Sequence, residues 1–336
     1  MTPAVSVVMP FRDPGPHLGP ALASILAQGE RDFELLAIDD GSTDGSRARL
    51  ARAADRDRRI RLLDNRGRGL VAALNLGLAR ARAPLVARMD ADDVMAPERL
   101  AAQRAFLRAH PECDLVACRV RGLADGGPGP GWRRYLAWQN ACLTHADLRD
   151  EAYWESPLAH PSVMFRRQRV LALGGYRAGD FPEDYELWLR MLSAGCRLAK
   201  LPQVLLDWRD HPRRASRCDP RYRREAFDAL RATHLAADPR LHQGRPLVVW
   251  GAGPRTRRRA RRLPAHGLAL HAWVDVAPRR IGRWLAGVPV LSPDQALGIR
   301  GAFMLGYVTR HGAREAIAAR FHAAGLARGR DYLMVG

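Results

Sequence analysis

The segment PLVARMDADD, residues 84–93, decides the fold and locates the first candidate site. Its small apolar residues are typical of a buried strand in a parallel sheet, and ligands bind outside the carboxyl ends of such strands. Asp90, Asp92 and Asp93 follow directly. Two like charges about 4 Å apart repel by up to ~4 kcal/mol at an effective dielectric of ~20. The cluster therefore predicts a hard divalent cation, Mg²⁺ or Mn²⁺, which keeps coordination sites free for phosphate oxygens.

Around this segment, apolar runs alternate with helical patterns. The predicted strands are residues 5–9, ending at Pro10, then 33–38, 60–63 and 85–87; the predicted helices between and after them are residues 18–26, 71–78 and 98–109. This alternation predicts an α/β fold with a mostly parallel sheet and helices on both faces. Further along we expect a glycine and proline loop at 122–131, irregular structure plus a helix at 132–154, a strand at 162–165 and a helix at 185–192.

The strand and helix pattern restarts after residues 238–244. Residues 247–250 are a predicted strand, and a tight turn and an arginine-rich helix follow. We expect two domains, at residues 1–238 and 245–336, the second a smaller Rossmann-like α/β domain. Gly251 and Gly253 match part of a dinucleotide-binding pattern and Asp275 lies near the ribose-binding distance, but Thr256 replaces the third glycine. We interpret this domain as an assembly or acceptor-positioning module without a cofactor.

Composition places the chain among globular proteins. It has 336 residues, 47% of them hydrophobic, with no apolar run near the roughly 18 residues of a membrane-spanning helix. Neither a basic region nor a cleavage site is visible at residues 1–8, so we expect a cytoplasmic protein. The five cysteines show no metal-type spacing, and we interpret them as reduced core residues.

The net charge of +19 would ordinarily suggest nucleic acid or an anionic membrane as a partner. Lys200 is the only lysine among 54 basic residues, a bias that a GC-rich coding sequence would also produce. The densest cluster, residues 255–262, lacks the interleaved aromatic residues of single-strand binders, so we expect no nucleic-acid partner. We interpret it as a solvated helix face, with adhesion to acidic lipid headgroups at the inner face of the cell membrane as the alternative.

Five blocks of sequence carry a family resemblance. They are VSVVMP at residues 5–10, DDGSTD at 39–44, ARMDADD at 87–93, HPSVMFR at 160–166 and EDYELWLR at 183–190. In type, order and spacing they resemble the successive blocks of the family 2 glycosyltransferases, over about residues 4–217. The resemblance implies an A-type nucleotide-sugar fold for the predicted catalytic domain and inverting transfer from an activated sugar.

The resemblance also implies a donor site. Asp40 would accept a hydrogen bond from the base of the nucleotide, which suits uracil, and Asp39 would lie beside it; turn formation and helix capping are the alternative roles. Pro10 and Phe11 would line the same pocket, although packing explains them equally well. Arg68, between glycines, could reach the donor phosphates or be an ordinary surface arginine.

Metal binding is implied for Asp92, with Asp90 as the first member of the DxD motif on the donor side. The cation would bridge the diphosphate and act as a Lewis acid. Capping of a helix could explain one carboxylate here, but not three. His211 resembles a late histidine that closes over the diphosphate or the metal, and a structural role is its alternative.

Asp184 matches the aspartate of the family's ED block, which removes the proton from the acceptor hydroxyl. General-base catalysis of this kind typically contributes ~10² to 10⁴ in rate. Its alternative is an N-cap on the helix that follows, and both roles can coexist. Glu183 would lie on the acceptor side, and Trp188 would offer a ring face to a sugar or pack in the core.

The predicted function is metal-dependent, inverting transfer of a sugar from a nucleotide-diphosphate donor, a UDP-sugar, to a hydroxyl of a glycan or glycolipid acceptor in bacterial surface polysaccharide assembly. Two alternatives stay open. One is a non-catalytic nucleotide-binding protein whose basic domain contacts a membrane or a nucleic acid. The other is a polyprenyl-phosphate glycosyltransferase, and peripheral membrane contact is compatible with both.

Overall fold

The computed structural model describes residues 2–124, 127, 129–310 and 312–336. Contacts divide the chain into two compact units. The first comprises Met1–Leu148 and Pro157–Tyr222, and the second comprises Arg149–Ser156 and Arg223–Gly336. The domain limits predicted from the sequence, 1–238 and 245–336, stay a prediction.

The first unit is built from eight described strands and the helices between them. The strands are β1 (Val5–Phe11), β2 (Phe33–Asp39), β3 (Ile60–Asp64), β4 (Leu85–Arg88), β5 (Val94–Met95), β6 (Cys113–Leu123), β7 (Met164–Arg166) and β8 (Arg197–Arg209). The helices are α1 (Leu18–Leu26), α2 (Ser46–Ala54), α3 (Leu70–Arg80), α4 (Arg99–Ala109), α5 (Pro130–Ala141), α6 (His145–Glu151), α7 (Arg167–Ala172), α8 (Glu183–Ser193) and α9 (Ala215–Cys218).

One sheet organises these strands, in the order β3-β2-β1-β4-β7-β6-β8-β5. Strands β1 to β4 pair in parallel, as do β6 and β8, whereas β7 runs antiparallel to β4 and β6, and β5 antiparallel to β8. The predicted α/β fold with a mostly parallel sheet is confirmed. Since β1, β2 and β4 are parallel neighbours, the residues after them reach the same edge of the sheet.

Every residue of β1 and β2 is buried, as expected for strands covered on both faces. Helix α3 packs very close to this pair. A Cβ atom at Gly77 of α3 would lie 2.5 Å from Val8 Cγ1 and 2.9 Å from Ile38 Cδ1. Glycine at this position therefore fixes the distance between α3 and the sheet.

The structure corrects several local predictions. Pro10 does not end the first strand, because β1 continues to Phe11 with Pro10 opposite Ile38. Strands β6 and β8 were not predicted. Their charged residues obscure the pattern, and the register between them skips at Pro202, which lacks the N–H that regular pairing needs. The stretch predicted as irregular structure plus a helix, 132–154, contains two helices and is mostly helical. Residues 125, 126 and 128 of the predicted loop lie outside the described residues.

The second unit contains its own sheet. Its strands are β9 (Leu247–Trp250), β10 (Ala272–Val274), β11 (Trp284–Leu285), β12 (Val288–Leu291), β13 (Phe303–Gly306) and β14 (Tyr332–Met334), in the order β11-β12-β10-β9-β13-β14. Its helices are α10 (Arg224–Ala236), α11 (Pro254–Ala260), α12 (Arg262–Ala265), α13 (Pro293–Leu297) and α14 (Ala313–Ala323). All pairs are parallel except β11 with β12. This unit therefore has an α/β architecture with a second, smaller sheet.

Among the described residues, no helix combines the length and the apolar character needed to cross a lipid bilayer. Four of the five free cysteines are buried, in agreement with their interpretation as core residues, whereas Cys218 is exposed.

Candidate active site

Three carboxylates meet directly after β4. One ligand oxygen from each of Asp90, Asp92 and Asp93 lies within 4.8 Å of the other two. Asp93 is buried, and Asp90 and Asp92 are partly exposed. The last residue of β4, Arg88, is buried beneath the cluster and forms an ion pair with Asp90. The buried guanidinium of Arg88 thus offsets part of the negative charge of the three acids.

The end of β8 holds this cluster in place. The backbone N–H of Arg209 donates to Asp93 Oδ1 at 2.7 Å, and Arg209 Nε donates to the backbone oxygen of Asp92 at 2.9 Å. His211 Nε2 lies 2.7 Å from Asp92 Oδ2. The structure therefore brings His211 to the predicted metal-binding carboxylate, across 119 positions of sequence.

Burial and the charges of neighbouring groups shift the pKa values of the three acids in different directions. Burial, followed by the charges of Asp90 and Asp92, raises the pKa of Asp93 well above its ordinary value. Burial also raises the pKa of Asp90, against the opposing charge of Arg88. For Asp92 burial acts in the same direction, but the hydrogen bond and charge of His211 bring its pKa below the ordinary value. Asp92 is the member held most firmly as a carboxylate.

These residues fit a divalent cation. Asp93 Oδ2 is buried and has no hydrogen-bond partner among the described residues, which is costly unless a proton or a cation satisfies it. Three carboxylates and one imidazole nearby form a donor set that suits Mn²⁺, and the carboxylates alone suit Mg²⁺. The structure therefore contains a candidate metal centre at the end of β4.

Asp40 follows β2 at the same edge of the sheet and is held by two donors. Asn65 Nδ2 donates to Asp40 Oδ1 at 2.6 Å, and the backbone N–H of Gly69 donates to the same oxygen at 2.9 Å. Gly69 has φ +92°, a conformation that glycine adopts without strain. The backbone N–H of Asp40 donates to the oxygen of Phe11 at 2.9 Å. The carboxylate is therefore fixed at a buried strand end.

The other predicted donor residues have local partners. Asp39 Oδ1 accepts the backbone N–H of Ser42 at 2.9 Å, and its Oδ2 lies 3.3 Å from Arg47, so it shapes the turn after β2. Pro10 and Phe11 are buried residues of β1. Arg68 is exposed, and its Nε donates to the backbone oxygen of Asn65 at 3.0 Å. The donor-binding roles of these four residues stay predictions.

A second pair of acids, Glu183 and Asp184, begins α8. Glu183 is 1% exposed, and Tyr222 Oη lies 2.9 and 3.1 Å from its two carboxylate oxygens. Arg221 lies 3.4 Å from one of them. Asp184 is partly exposed, and its Oδ1 accepts the backbone N–H of Tyr185 at 2.7 Å. Glu183 is thus engaged by side chains of the protein, whereas Asp184 Oδ1 bonds the backbone of its own helix.

The environment of Asp184 makes it a stronger base than an ordinary aspartate. Burial, followed by the charge of Glu183, raises the pKa of Asp184 to about 7. The positive charge of Arg88 opposes this rise, and it also lowers the pKa of Glu183. Because Arg88 pairs with Asp90 as well, one guanidinium acts on both carboxylate groups. Arg88 is therefore an electrostatic link between the candidate metal centre and the candidate base.

Trp188 is fully buried in this structure. Its ring meets His160 edge-on with 5.9 Å between centroids, and His160 Nε2 lies 2.9 Å from Tyr176 Oη. Burial and the charge of Arg88 lower the pKa of His160 well below its ordinary value, so it is neutral at pH 7. The ring of Trp188 has no exposed face for a sugar. This burial agrees with the alternative role of Trp188, packing in the core. Its role and that of Glu183 in acceptor binding stay predictions without support from these contacts.

Four residues at these sites were missed by the sequence analysis as candidates: Asn65, Arg88, Arg221 and Tyr222. Asn65 directly follows β3, the strand next to β2, and its position at a strand end was an available signal. Arg88 precedes the acidic cluster, where a buried cation is needed. Nothing in the local sequence pointed to Arg221 or Tyr222, because their contact with Glu183 spans 38 and 39 positions.

Comparison with known families identifies the family of this chain. The model of the family described as "Glycosyl transferase family 2" matches residues 6–173, half of the chain. The chain belongs to glycosyltransferase family 2. The match includes Asp40 and the three acids after β4, and it ends before Glu183 and Asp184.

Curated family members resemble this chain over its first part. The amylovoran biosynthesis glycosyltransferase AmsE of Erwinia amylovora is 37% identical over 141 residues, 42% of this chain and 50% of that protein. The UDP-Gal:alpha-D-GlcNAc-diphosphoundecaprenol beta-1,3-galactosyltransferase of Escherichia coli is 30% identical over 214 residues, 62% of this chain and 74% of that protein. The aligned part thus spans half the length of the amylovoran enzyme.

Solved structures confirm the A-type glycosyltransferase fold. S. aureus TarS residues 1–349 in complex with UDP-GlcNAc align with a TM-score of 0.55 and 16% identity, over 69% of this chain and 66% of that one. The mannosyltransferase PcManGT of Pyrobaculum calidifontis, in complex with GDP-Man and Mn²⁺, aligns with a TM-score of 0.53 and 22% identity, over 80% and 74%. At these identities the likeness concerns the fold.

Proposed function

We propose that this family 2 member transfers a sugar from a UDP-sugar to a hydroxyl of a glycan or glycolipid acceptor, with inversion, during assembly of a bacterial surface polysaccharide. The observation that carries the proposal is the cluster of Asp90, Asp92 and Asp93 within 4.8 Å at a strand end. Two curated relatives are named as an amylovoran biosynthesis and an O-antigen biosynthesis glycosyltransferase, which supports this kind of pathway.

Donor recognition is assigned to the edge formed by β1, β2 and β3. Asp40 is fixed by Asn65 and Gly69 and accepts the ring N–H of uracil. Arg68 lies in the loop that carries Gly69 and contributes a guanidinium suited to phosphate oxygens. A UDP donor agrees with the names of the E. coli galactosyltransferase and of the TarS complex.

Asp92 and Asp90 would hold the divalent cation, with His211 beside Asp92. When bound, the cation supplies Lewis-acid stabilisation of the diphosphate leaving group. Through their ion pair, Arg88 favours the ionised form of Asp90 against the burial that raises its pKa. Arg209 fixes the backbone of Asp92 and the carboxylate of Asp93, so this chain presents the acids already oriented.

Asp184 is the proposed general base. The acceptor hydroxyl gives its proton to the Asp184 oxygen that is not bound to the N–H of Tyr185, while the hydroxyl oxygen attacks the anomeric carbon opposite the nucleotide. A pKa of about 7 suits a base that works near neutral pH. Glu183, held by Tyr222 and Arg221, is a positioning residue whose charge raises the pKa of Asp184.

A lipid-linked acceptor is the favoured version of this function. The E. coli relative carries a diphosphoundecaprenol acceptor in its name, and the chain has a net charge of +19, which suits an anionic membrane surface. We therefore propose peripheral contact with the inner face of the cell membrane. The alternative of a non-catalytic nucleotide binder is disfavoured, because it would need neither Asp184 nor the acidic cluster.

A panel of nucleotide sugars tests the proposal. With Mn²⁺ present, a true donor at 100 times its dissociation constant stabilises the fold by about 2.7 kcal/mol, which a thermal-shift assay detects. Transfer from the best donor to synthetic lipid-linked sugars is then followed by NMR of the anomeric proton. A product with inverted configuration is expected. Absence of any stabilising nucleotide sugar, or a product of retained configuration, would contradict the proposal.

A further inference from the structure

The second unit contains a cavity whose wall is strongly basic. Its volume is about 220 Å³, and its lining is Ala252, Arg257, Arg279, Arg280, Arg283 and Leu285. Ala252 lies in the turn after β9, and Arg279 to Arg283 lie between β10 and β11. The cavity therefore opens at the carboxyl edge of a parallel sheet, where α/β folds bind ligands.

The four guanidinium groups are not balanced by acids. Arg280 pairs with Asp275 at 2.8 Å. Arg257 uses its Nε on the backbone oxygen of Ala252 at 3.1 Å, which leaves its terminal N–H groups for other partners. Within the described part of the chain, no carboxylate lies at ion-pair distance from Arg257, Arg279 or Arg283. An excess of three positive charges around one cavity favours an anionic ligand.

Asp275 has a supporting role in this cavity. Its Oδ2 holds Arg280, and its Oδ1 accepts the backbone N–H of Ala277 at 2.9 Å. These contacts engage the acid that a dinucleotide site would use for a ribose hydroxyl. Thr256 also stands where that pattern needs its third glycine, and its Oγ1 would lie 2.9 Å from a Cβ added at Gly251. Asp275 therefore orients Arg280, and the arrangement does not match a ribose-binding site.

We propose that this cavity binds the phosphate or diphosphate group of a small molecule. Planar guanidinium groups match phosphate oxygens with paired hydrogen bonds, and Arg280 is already oriented for this by Asp275. The volume is below the ~300–1,000 Å³ of sites that enclose a whole drug-sized ligand, so the cavity takes the charged end of its ligand. All its lining residues belong to the second unit, and the proposal does not depend on the transferase proposal.

Calorimetric titration of the full chain with inorganic pyrophosphate tests the site. EDTA is present throughout, so that no metal at Asp90 to Asp93 contributes. The double variant Arg279→Gln/Arg283→Gln is expected to raise the dissociation constant at least tenfold. The matched control Arg255→Gln/Arg258→Gln removes the same charge from exposed positions outside the lining and is expected to leave it unchanged. Absence of binding, or equal weakening in both variants, overturns the proposal.

Two sources of the phosphate group are separated by the same variants. If the ligand is a lipid headgroup, the protein binds phosphatidylglycerol vesicles, pyrophosphate competes, and Arg279→Gln/Arg283→Gln abolishes binding while the control does not. If it is a free phosphate compound, pyrophosphate binds and vesicles do not compete.

Discussion

His211 Nε2 lies 2.7 Å from Asp92 Oδ2, a contact that joins the segment after β8 to the segment after β4. The same two segments are joined by Arg209, which donates to Asp93 and to the backbone of Asp92. The metal centre proposed here is therefore assembled from two strands that are far apart in sequence. A change on either strand should affect the same binding event.

The first prediction concerns this contact. Asp92→Ala should abolish the part of UDP affinity that depends on Mn²⁺, because it removes the carboxylate held most firmly in the ionised form. His211→Asn should weaken Mn²⁺ binding by about 10- to 100-fold, the usual effect of removing a group that orients a metal ligand. Calorimetry with Mn²⁺ and with EDTA measures both. Asp55→Ala, an exposed acid at the end of α2, is the control; unaltered Mn²⁺ dependence in Asp92→Ala would contradict the assignment.

Asp184→Asn should lower the transfer rate by about 10² to 10⁴ and leave UDP affinity nearly unchanged, because only proton removal is lost. The stability of this variant above neutral pH, in contrast, should be equal to or higher than that of the native protein. The folded pKa of Asp184 is raised from 3.8 to about 7, so the native state binds more protons than the unfolded state in that window, and stability falls as pH rises through it. Asparagine cannot ionise, so the melting temperature at pH 8 should equal or exceed that of the native protein.

If Asp184→Asn loses transfer activity while its melting temperature is unchanged or higher, Asp184 acts in catalysis and not in folding. The structure places Asp184 inside the first turn of α8, with Pro182 as the N-cap, so the capping alternative was wrong. A purely structural role in that turn would give the reverse result, because asparagine has nearly the same shape and would preserve the rate. Full activity of Asp184→Asn would therefore remove the base assignment.

The sequence predicts features that depend on neighbouring residues better than contacts between residues that are far apart along the chain. Alternating strands and helices placed Asp40 and Asp90 at strand ends, and parallel pairing of β1, β2 and β4 brings those ends to one edge. The pairing partner of an acid was not predictable in the same way. Tyr222 reaches Glu183 across 39 positions, and no local pattern encodes which distant side chain fills a buried space.

Two of the strands that the sequence analysis missed, β6 and β8, illustrate a second limit. Strand β8 contains Pro202 and pairs with β6 through skipped residues, so its apolar residues do not alternate regularly. Trp188 shows a third limit. Periodicity places it on α8, but only the packing against His160 shows that the ring is enclosed. Side-chain burial near a site is set by neighbours from other elements, which local sequence does not specify.

Arg88 gives a prediction about pH. The rate as a function of pH should rise through an apparent pKa near 7, where Asp184 loses its proton. Arg88→Gln should move this rise to higher pH, because Arg88 holds the pKa of both Asp184 and Glu183 down. Arg88→Lys keeps a positive charge and should restore most of the native profile. The measurement is kcat/KM between pH 5.5 and 9.

The same substitution should also lower stability. Arg88→Gln leaves Asp90 without its buried partner, a change that typically costs about 3–5 kcal/mol. Arg121→Gln breaks an exposed ion pair with Asp207 and is the control, with an expected cost within about 1 kcal/mol. A native pH profile in Arg88→Gln would show that this guanidinium does not act on the base.

Asn65→Ala tests how Asp40 is positioned. The substitution removes the 2.6 Å hydrogen bond from Asn65 Nδ2 to Asp40 Oδ1 and leaves Gly69 as the remaining donor to that oxygen. Loss of a hydrogen bond to a charged group costs about 1.5 kcal/mol or more, so UDP should bind at least roughly tenfold more weakly. Asn65→Asp places a like charge beside Asp40 and should bind more weakly still. Equal affinities in the native protein and both variants would exclude Asp40 from the donor site.

Gly77→Ala tests the close approach of α3 to the sheet. Alanine is normally favoured over glycine inside a helix by about 1 kcal/mol, so stabilisation would follow if space allowed. Here the new Cβ would lie 2.5 Å from Val8 Cγ1 and 2.9 Å from Ile38 Cδ1, and overpacking of a core typically costs about 1–3 kcal/mol. We expect the clash to prevail and the melting temperature to fall by a few degrees, since about 1 kcal/mol corresponds to roughly 2–4 °C at 150–250 residues.

Gly19→Ala in α1 is the matched control, because a Cβ there would meet nothing within 4 Å and its melting temperature should rise slightly. The two substitutions also differ in their effect on the donor site. Helix α3 begins directly after Gly69, whose N–H holds Asp40, so displacement of α3 by Gly77→Ala should weaken UDP binding. Gly19→Ala should leave UDP binding intact. If Gly77→Ala raised stability and kept native UDP affinity, the spacing between α3 and the sheet would not be what fixes Asp40.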